Sequence, residues 1–78
     1  MEQSIRAGKC LGQNIRKARE AKKLTQELVT TKLQLLDCDM SRGTYAKIEA
    51  GLRHVKVEEL EAIKEILDMR YEDFFKHN

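Results

Sequence analysis

The sequence predicts an all-α protein that forms a single small domain. Its 78 residues include no proline and only four glycines, so little interrupts helix formation. Apolar residues recur three and four positions apart along most of the chain, which is the period of a helix buried on one side. A chain of this length supplies one hydrophobic core, and 41% apolar residues are enough to form it.

Two helices are predicted in the first half of the chain. The first runs to about residue 23, and its inward stripe comprises Leu11, Ile15 and Ala18. Thr25 can accept a hydrogen bond from a backbone N–H of the second helix, which ends near Asp37. The inward residues of the second helix are Val29, Leu33 and Leu36. Residues 1–10 show no apolar face, and we expect an N-terminal arm there, ahead of a domain that spans 11–78.

The second half of the chain predicts a short third helix, a fourth helix and a last turn. Ser41 is the expected N-cap of the third helix, which buries Tyr45 and Ile48 and ends at Gly51. The fourth helix, about 57–67, follows a basic connector. Its inward residues are Val57, Leu60, Ile63 and Leu67. A turn near the C-terminus lays Phe74 on the core.

Charge is unevenly distributed along the chain. Residues 1–56 contain 12 Lys and Arg against 6 Asp and Glu, whereas residues 57–78 contain 3 against 7. The net charge is therefore +6 in the first part and −4 in the second, although the whole chain is only +2. A basic body favours an anionic partner, and nucleic acid is the commonest one for a small domain. An ordinary solvated surface is the alternative interpretation.

No catalytic centre, metal site or cofactor is predicted. The chain lacks a glycine-rich phosphate loop and a Ser/His/Asp order, so we expect neither enzyme activity nor a small-molecule ligand. The residues Cys10, Cys38, His54 and His77 lack the paired short spacings of a zinc site. Without a secretion signal or a long apolar run, we expect a cytoplasmic protein that contacts no membrane and keeps both cysteines reduced.

Several short segments occur in the register of a known family. They are Leu11-Gly12, Ile15-Arg16, Arg19, Leu24-Thr25-Gln26, Ser41-Arg42 and Ile48-Glu49-Ala50-Gly51. The pattern resembles the Cro/phage-repressor helix-turn-helix family, also called the XRE family, over about residues 11–75. The resemblance implies a compact, five-helix, lambda-repressor-like DNA-binding domain whose third helix, about residues 41–50, enters the major groove.

The resemblance also implies roles for individual residues. Those expected to face base edges are Arg42, Gly43, Thr44 and Lys47. Those expected to hold the DNA backbone are Thr25, Gln26, Arg53 and Lys56. For the residues of the connector, a solvated loop is an equal alternative. Arg19 and Glu49 are expected to form an internal ion pair that holds the third helix in position.

The sequence departs from the family pattern at several positions. The connection between Leu33 and Ser41 is about five residues longer than usual, so we expect an extended second helix and a segment that folds back, with Met40 plugging the core. Lys23 and Asp68 stand where the family usually has glycine, which predicts a left-handed backbone at both. Other departures are Tyr45 at an aliphatic core position, and Asp37 and Asp39 near the DNA side.

The expected function is that of a sequence-specific regulator of transcription that binds double-stranded DNA. One short recognition helix reads only a few base pairs, so we expect a homodimer, with Phe74 or Phe75 left exposed in the dimer contact. The alternative is an antitoxin-like or adaptor module that binds another protein on the same fold, through segment 57–78 or the lengthened turn.

Overall fold

The computed structural model describes the backbone of residues 4–5 and 9–76, and it confirms the five-helix prediction within them. The helices are α1 (Lys9–Ala21), α2 (Gln26–Leu35), α3 (Arg42–Glu49), α4 (Val57–Leu67) and α5 (Tyr71–Phe74). Helix α1 thus begins two residues before the predicted start of the domain, and residues 1–3 and 6–8 of the predicted arm lie outside the described residues. No helix in the described part of the chain is long and apolar enough to cross a membrane.

Two short strands accompany the helices, and the sequence did not predict them. Strand β1 (Ser4–Ile5) pairs antiparallel with β2 (Val55–Lys56), with Ser4 opposite Lys56 and Ile5 opposite Val55. Each strand is two residues long, which is too short for an alternating pattern to be visible in the sequence. The pairing fixes part of the N-terminal segment against the connector that precedes α4.

The first four helices end in the same way, with a left-handed residue. These residues are Lys23, Asp37, Gly51 and Asp68, whose φ angles are 59°, 59°, 77° and 52°. At each end the next N–H bonds to a carbonyl five residues earlier, as Leu24 does to Arg19 at 3.1 Å. The prediction for Lys23 and Asp68 is therefore confirmed. Three helices accept a conformation that glycine would adopt at lower cost.

The core lies where α1 and α2 pack against α3 and α4, and α5 closes it against α1. The predicted core residues that are buried are Leu11, Ile15, Val29, Leu33, Met40, Tyr45, Ile48, Leu60, Ile63, Leu67 and Phe74. Val55, Ala62 and Met69 join them. Ala18 and Val57 are only half-buried.

Leu36 does not face the core, and this part of the prediction is wrong. Its side chain is 40% exposed, because α2 ends at Leu35 and the chain reverses through the left-handed Asp37. The reversal turns Cys38 toward the core and buries Met40 instead. The lengthened connection therefore folds back before Ser41, as predicted.

Two contacts of α1 fix its position on α3 and α5. A Cβ atom at Gly12 would collide with the carbonyl oxygen of Glu49, so the two helix backbones are in direct contact there. The buried amide of Asn14 donates to the carbonyl oxygens of Phe74 and Lys76, both at 2.9 Å. These contacts hold the end of α3 and the C-terminal segment on opposite sides of α1.

Candidate nucleic-acid interface

The N-termini of α2 and α3 are both capped by the hydroxyl groups predicted for them. Thr25 Oγ1 accepts from the N–H of Leu28 at 3.0 Å, and Ser41 Oγ accepts from the N–H of Thr44 at 3.1 Å. The caps leave the N–H groups of Gln26 and Glu27 without an acceptor among the described residues. The first turn of α2 therefore offers two backbone donors and the positive end of the helix dipole.

Helix α3 has an inner face and an outer face. Tyr45, Ile48 and Glu49 are buried. The outer face of α3 consists of the exposed residues Arg42, Gly43, Lys47 and Ala50. Thr44 and Ala46 are half-buried at its edge, and the hydroxyl of Thr44 accepts from Ser41 Oγ at 2.9 Å. Three of the four residues that were predicted to face bases thus lie on the outer face, and Thr44 is held at the start of the helix.

No described residue neutralises the positive charge on the outer face of α3. Four of the five arginines in residues 9–76 form ion pairs: Arg16 with Glu20, Arg19 with Glu49, Arg53 with Glu59 and Arg70 with Asp73. Arg42 is the fifth, and it forms no ion pair with a described residue; the same is true of Lys47. These two cations are therefore available to an external anion or acceptor.

Arg19 and Glu49, the residues expected to pair, form a nearly buried bidentate contact. Arg19 Nε lies 2.7 Å from Glu49 Oε2, and Nη2 lies 3.1 Å from Oε1. Their side chains are 12% and 4% exposed. Burial alone would raise the pKa of Glu49, but the hydrogen bonds, those from Arg19 first, outweigh it and hold that pKa below its ordinary value. The hydrogen bond to Glu49 raises the pKa of Arg19 in turn.

Gln26 joins this ion pair from the start of α2. Its Nε2 donates to Glu49 Oε1 at 3.0 Å. An amide nitrogen carries two hydrogens, so the contact fixes the orientation of the amide and leaves one donor. Gln26 and Arg19 both line two open clefts, one of which also includes Arg42 and the other Ala50. The residue expected to clamp a phosphate is therefore oriented by the same carboxylate that anchors α3.

The Tyr45 side chain belongs to the core and is not a stacking platform. It is fully buried, and its hydroxyl lies beside the Glu49 carboxylate. Burial, and then the neighbouring Glu49 carboxylate, raise the pKa of Tyr45 far above its ordinary range. The hydroxyl therefore stays protonated beside the ion pair.

The connector that follows α3 holds its arginine within the protein. Arg53 Nη1 and Nη2 lie 3.0 and 3.1 Å from the two carboxylate oxygens of Glu59, and Nη1 also donates to the carbonyl of His54 at 2.9 Å. The N–H of Lys56 donates to Glu59 Oε1 at 2.9 Å. Burial would raise the pKa of Glu59, but the hydrogen bond from Arg53 and that from Lys56 lower it overall. Glu59 is therefore buried and tied into the fold, although charged residues on a helix usually face solvent. Its place three residues after the N-cap Lys56 was the available signal.

Metal-binding and reactive-thiol chemistry find no support in the described residues. No cluster of three or more His, Cys, Asp or Glu occurs in residues 9–76, and His77 lies outside the described residues. Cys10 and Cys38 are half-buried and form no disulfide with each other. Burial raises the pKa of Cys38, which disfavours the reactive thiolate.

Comparisons with known proteins agree with this arrangement. The family model of the helix-turn-helix domain matches residues 15–74. Among solved structures, the chain is similar to the restriction-modification controller protein C.AhdI from Aeromonas hydrophila, with 25% identity and a TM-score of 0.74. The alignment covers 86% of this chain and 94% of that protein. No curated protein sequence gives a significant match. The chain belongs to the helix-turn-helix family of DNA-binding transcriptional regulators, of the Cro/phage-repressor type.

Proposed function

We propose that this protein binds double-stranded DNA sequence-specifically as a homodimer, with α3 in the major groove, and thereby regulates transcription. The observation that carries the proposal is the outer face of α3, where Arg42 and Lys47 are exposed without a carboxylate partner in the described chain. Two uncompensated cations on an eight-residue helix add little to the stability of the folded protein. They do strengthen the binding of a polyanion. The likeness to a restriction-modification controller supports the regulatory role.

Direct readout and backbone positioning fall to different helices. Arg42 presents a guanidinium fork that suits guanine O6 and N7, and Lys47 offers a point charge one turn farther along. Gln26 and the free N–H groups of the first turn of α2 suit a phosphate oxygen. Thr25 contributes by capping that turn, and Lys56 is exposed at the start of α4. Arg53 is held by Glu59, so we assign it a structural role and place backbone contact in the connector on Lys56.

Selection of bound duplexes from a random DNA library tests this assignment. Arg42→Ala should cost about 1–3 kcal/mol on the best site and relax preference at one position, because a bidentate base contact is lost. Gln26→Ala should weaken binding to all sequences alike. Lys17→Ala is the control, since it removes one positive charge from an exposed site of α1, outside α2, α3 and the proposed dimer contact. An unchanged sequence preference in Arg42→Ala would contradict the assignment.

A two-fold assembly follows from the small size of the reading surface. One α3 spans only a few base pairs, so useful discrimination needs two half-sites. Tyr71, the first residue of α5, and Phe75, which follows its last residue, are 50% and 48% exposed, which suits a contact with a second copy. Sedimentation of the wild type should give a dimer, and Phe75→Lys should give a monomer that still folds. A palindromic selected site would agree with the proposed homodimer. A monomeric wild type that selects a single half-site would contradict it.

A second candidate function rests on the exposed leucines of α2. Leu35 is 79% exposed, and Leu28 and Leu36 are also open to solvent, so this helix could dock on another protein. The candidate is the antitoxin-like or adaptor module on the same fold. Salt-sensitive binding to duplex DNA favours the regulator. A protein that binds no duplex DNA even at low salt favours the adaptor.

A further inference from the structure

Two of the described glycines lie inside helices, and contacts within the protein explain only one of them. A Cβ atom at Gly12 would collide with the carbonyl oxygens of Ile48 and Glu49, so α1 needs glycine there. A Cβ atom at Gly43 would meet nothing within 4 Å. Gly43 also lacks the left-handed backbone that justifies Gly51. Neither packing nor backbone conformation therefore requires glycine at position 43.

Glycine at this position is unfavourable for the fold. Gly43 is the second residue of α3, and α3 has only eight residues. After proline, glycine is the residue least suited to a helix, because it loses the most backbone freedom on folding. The methyl group of alanine would fit the space and stabilise the helix. The reason for glycine must then lie outside the isolated protein.

The neighbours of Gly43 indicate what approaches it. Arg42 precedes it, and Lys47 lies one turn later on the same exposed face; neither has an ion-pair partner in the described chain. Long cationic side chains beside a bare stretch of backbone match a groove whose walls carry negative charge. A side chain at position 43 would hold the helix away from the groove floor.

We infer that Gly43 is the point of closest approach between α3 and the DNA, so that its missing side chain sets the depth at which Arg42 and Lys47 enter the groove. The inference rests on the proposed function and deepens it, because it gives the missing side chain of Gly43 a role in specificity. A bulkier residue leaves both cations within reach of phosphates but withdraws them from base edges. Discrimination between sequences therefore falls more than affinity for DNA in general.

The test compares Gly43→Ala and Gly43→Leu with the wild type in two measurements. Thermal unfolding should show that both variants are at least as stable as the wild type, because alanine and leucine favour helices. Binding to the selected duplex should weaken about 10-fold for Ala and further for Leu, as expected when added methylenes are forced into a packed contact. Binding to a random duplex should change less than about 2-fold.

Thr31→Ala is the matched control, since it raises helix propensity at an exposed site of α2 that lies outside α3. It should leave the ratio of selected to random affinity unchanged. If Gly43→Ala keeps the wild-type ratio while the wild type binds its selected site, the inference is overturned and the proposed function stands. A wild type that binds no duplex overturns both.

Discussion

Removing one partner of the Arg19–Glu49 pair should destabilise the protein far more than removing both. The two side chains are 12% and 4% exposed, so the remaining charge stays largely desolvated. Breaking a buried pair on one side costs roughly 3–5 kcal/mol, whereas apolar replacement of both partners is often near neutral. A 78-residue domain has only about 4–12 kcal/mol of total stability, so either single variant lies close to unfolding.

The two single variants should differ in their dependence on pH. In the wild type the pKa of Glu49 is lower in the folded state than in the unfolded state. The stability that ionised Glu49 gives the folded protein is therefore complete above its pKa in the unfolded state, and it is lost as pH falls through its pKa in the folded state. In Arg19→Met, burial dominates and raises the folded pKa of Glu49 instead. The loss in free energy of unfolding caused by Arg19→Met should therefore be largest at neutral pH. It should shrink as pH falls and the Glu49 carboxylate becomes protonated, near and above pH 4.

Urea unfolding followed by circular dichroism measures these effects. The set comprises the wild type, Arg19→Met, Glu49→Leu and the double variant, each at neutral and acidic pH. We expect a coupling energy above about 2 kcal/mol. The exposed pair Arg16–Glu20 is the control, and its cycle should give about 0.5 kcal/mol or less. Additive losses for Arg19 and Glu49 would refute the reasoning.

Three further predictions concern the backbone and the lengthened turn. Gly12→Ala should lower the free energy of unfolding by about 1–3 kcal/mol, because the added methyl meets a carbonyl that cannot move aside, and urea titration beside Gly43→Ala checks this. Lys23→Gly should raise stability by about 0.5–1 kcal/mol by relieving a left-handed lysine, whereas Lys22→Gly, which lacks that conformation, should lower it. Replacing Asp37 and Asp39, both exposed, with Asn should strengthen binding to every duplex at low salt if the tip faces phosphate. Flattened sequence preference would instead indicate base contact, and unchanged binding would place the tip away from DNA.

Periodicity predicted the helices and most of the core because both depend on residues close together in the chain. Val29, Leu33 and Ile48 could be assigned to the interior from spacing alone, and all are fully buried. The prediction that Leu36 is buried was wrong because α2 stops one residue before it. The left-handed turn that follows contains no glycine to mark the end of the helix. The strand pair β1–β2 was not predicted for another reason, since it joins residues about fifty positions apart in the chain.

The candidate site shows the same division between local and distant effects. The outer face of α3 follows from the period of one helix, so the exposure of Arg42 and Lys47 agreed with expectation. The partners of charged residues depend on how helices pack, and the sequence did not reveal that Arg53 is bound by Glu59 or that Gln26 is bound by Glu49. Family resemblance supplied the Arg19–Glu49 contact, which no spacing within one helix could predict.

Glu49 links the stability of the fold to the orientation of Gln26, the proposed phosphate clamp, and the double variant separates these two roles. Arg19→Met with Glu49→Leu removes both buried charges, so the protein should fold, but Gln26 loses the acceptor that orients its amide. The affinity of the double variant for DNA should therefore fall by a similar factor on selected and random duplexes, because the proposed function gives Gln26 a contact with the DNA backbone and leaves base readout to Arg42. Adding Gln26→Ala to the double variant should then lower the affinity for DNA little further, since the Gln26 amide has already lost its fixed orientation. A full further loss would show that Gln26 acts on DNA independently of Glu49.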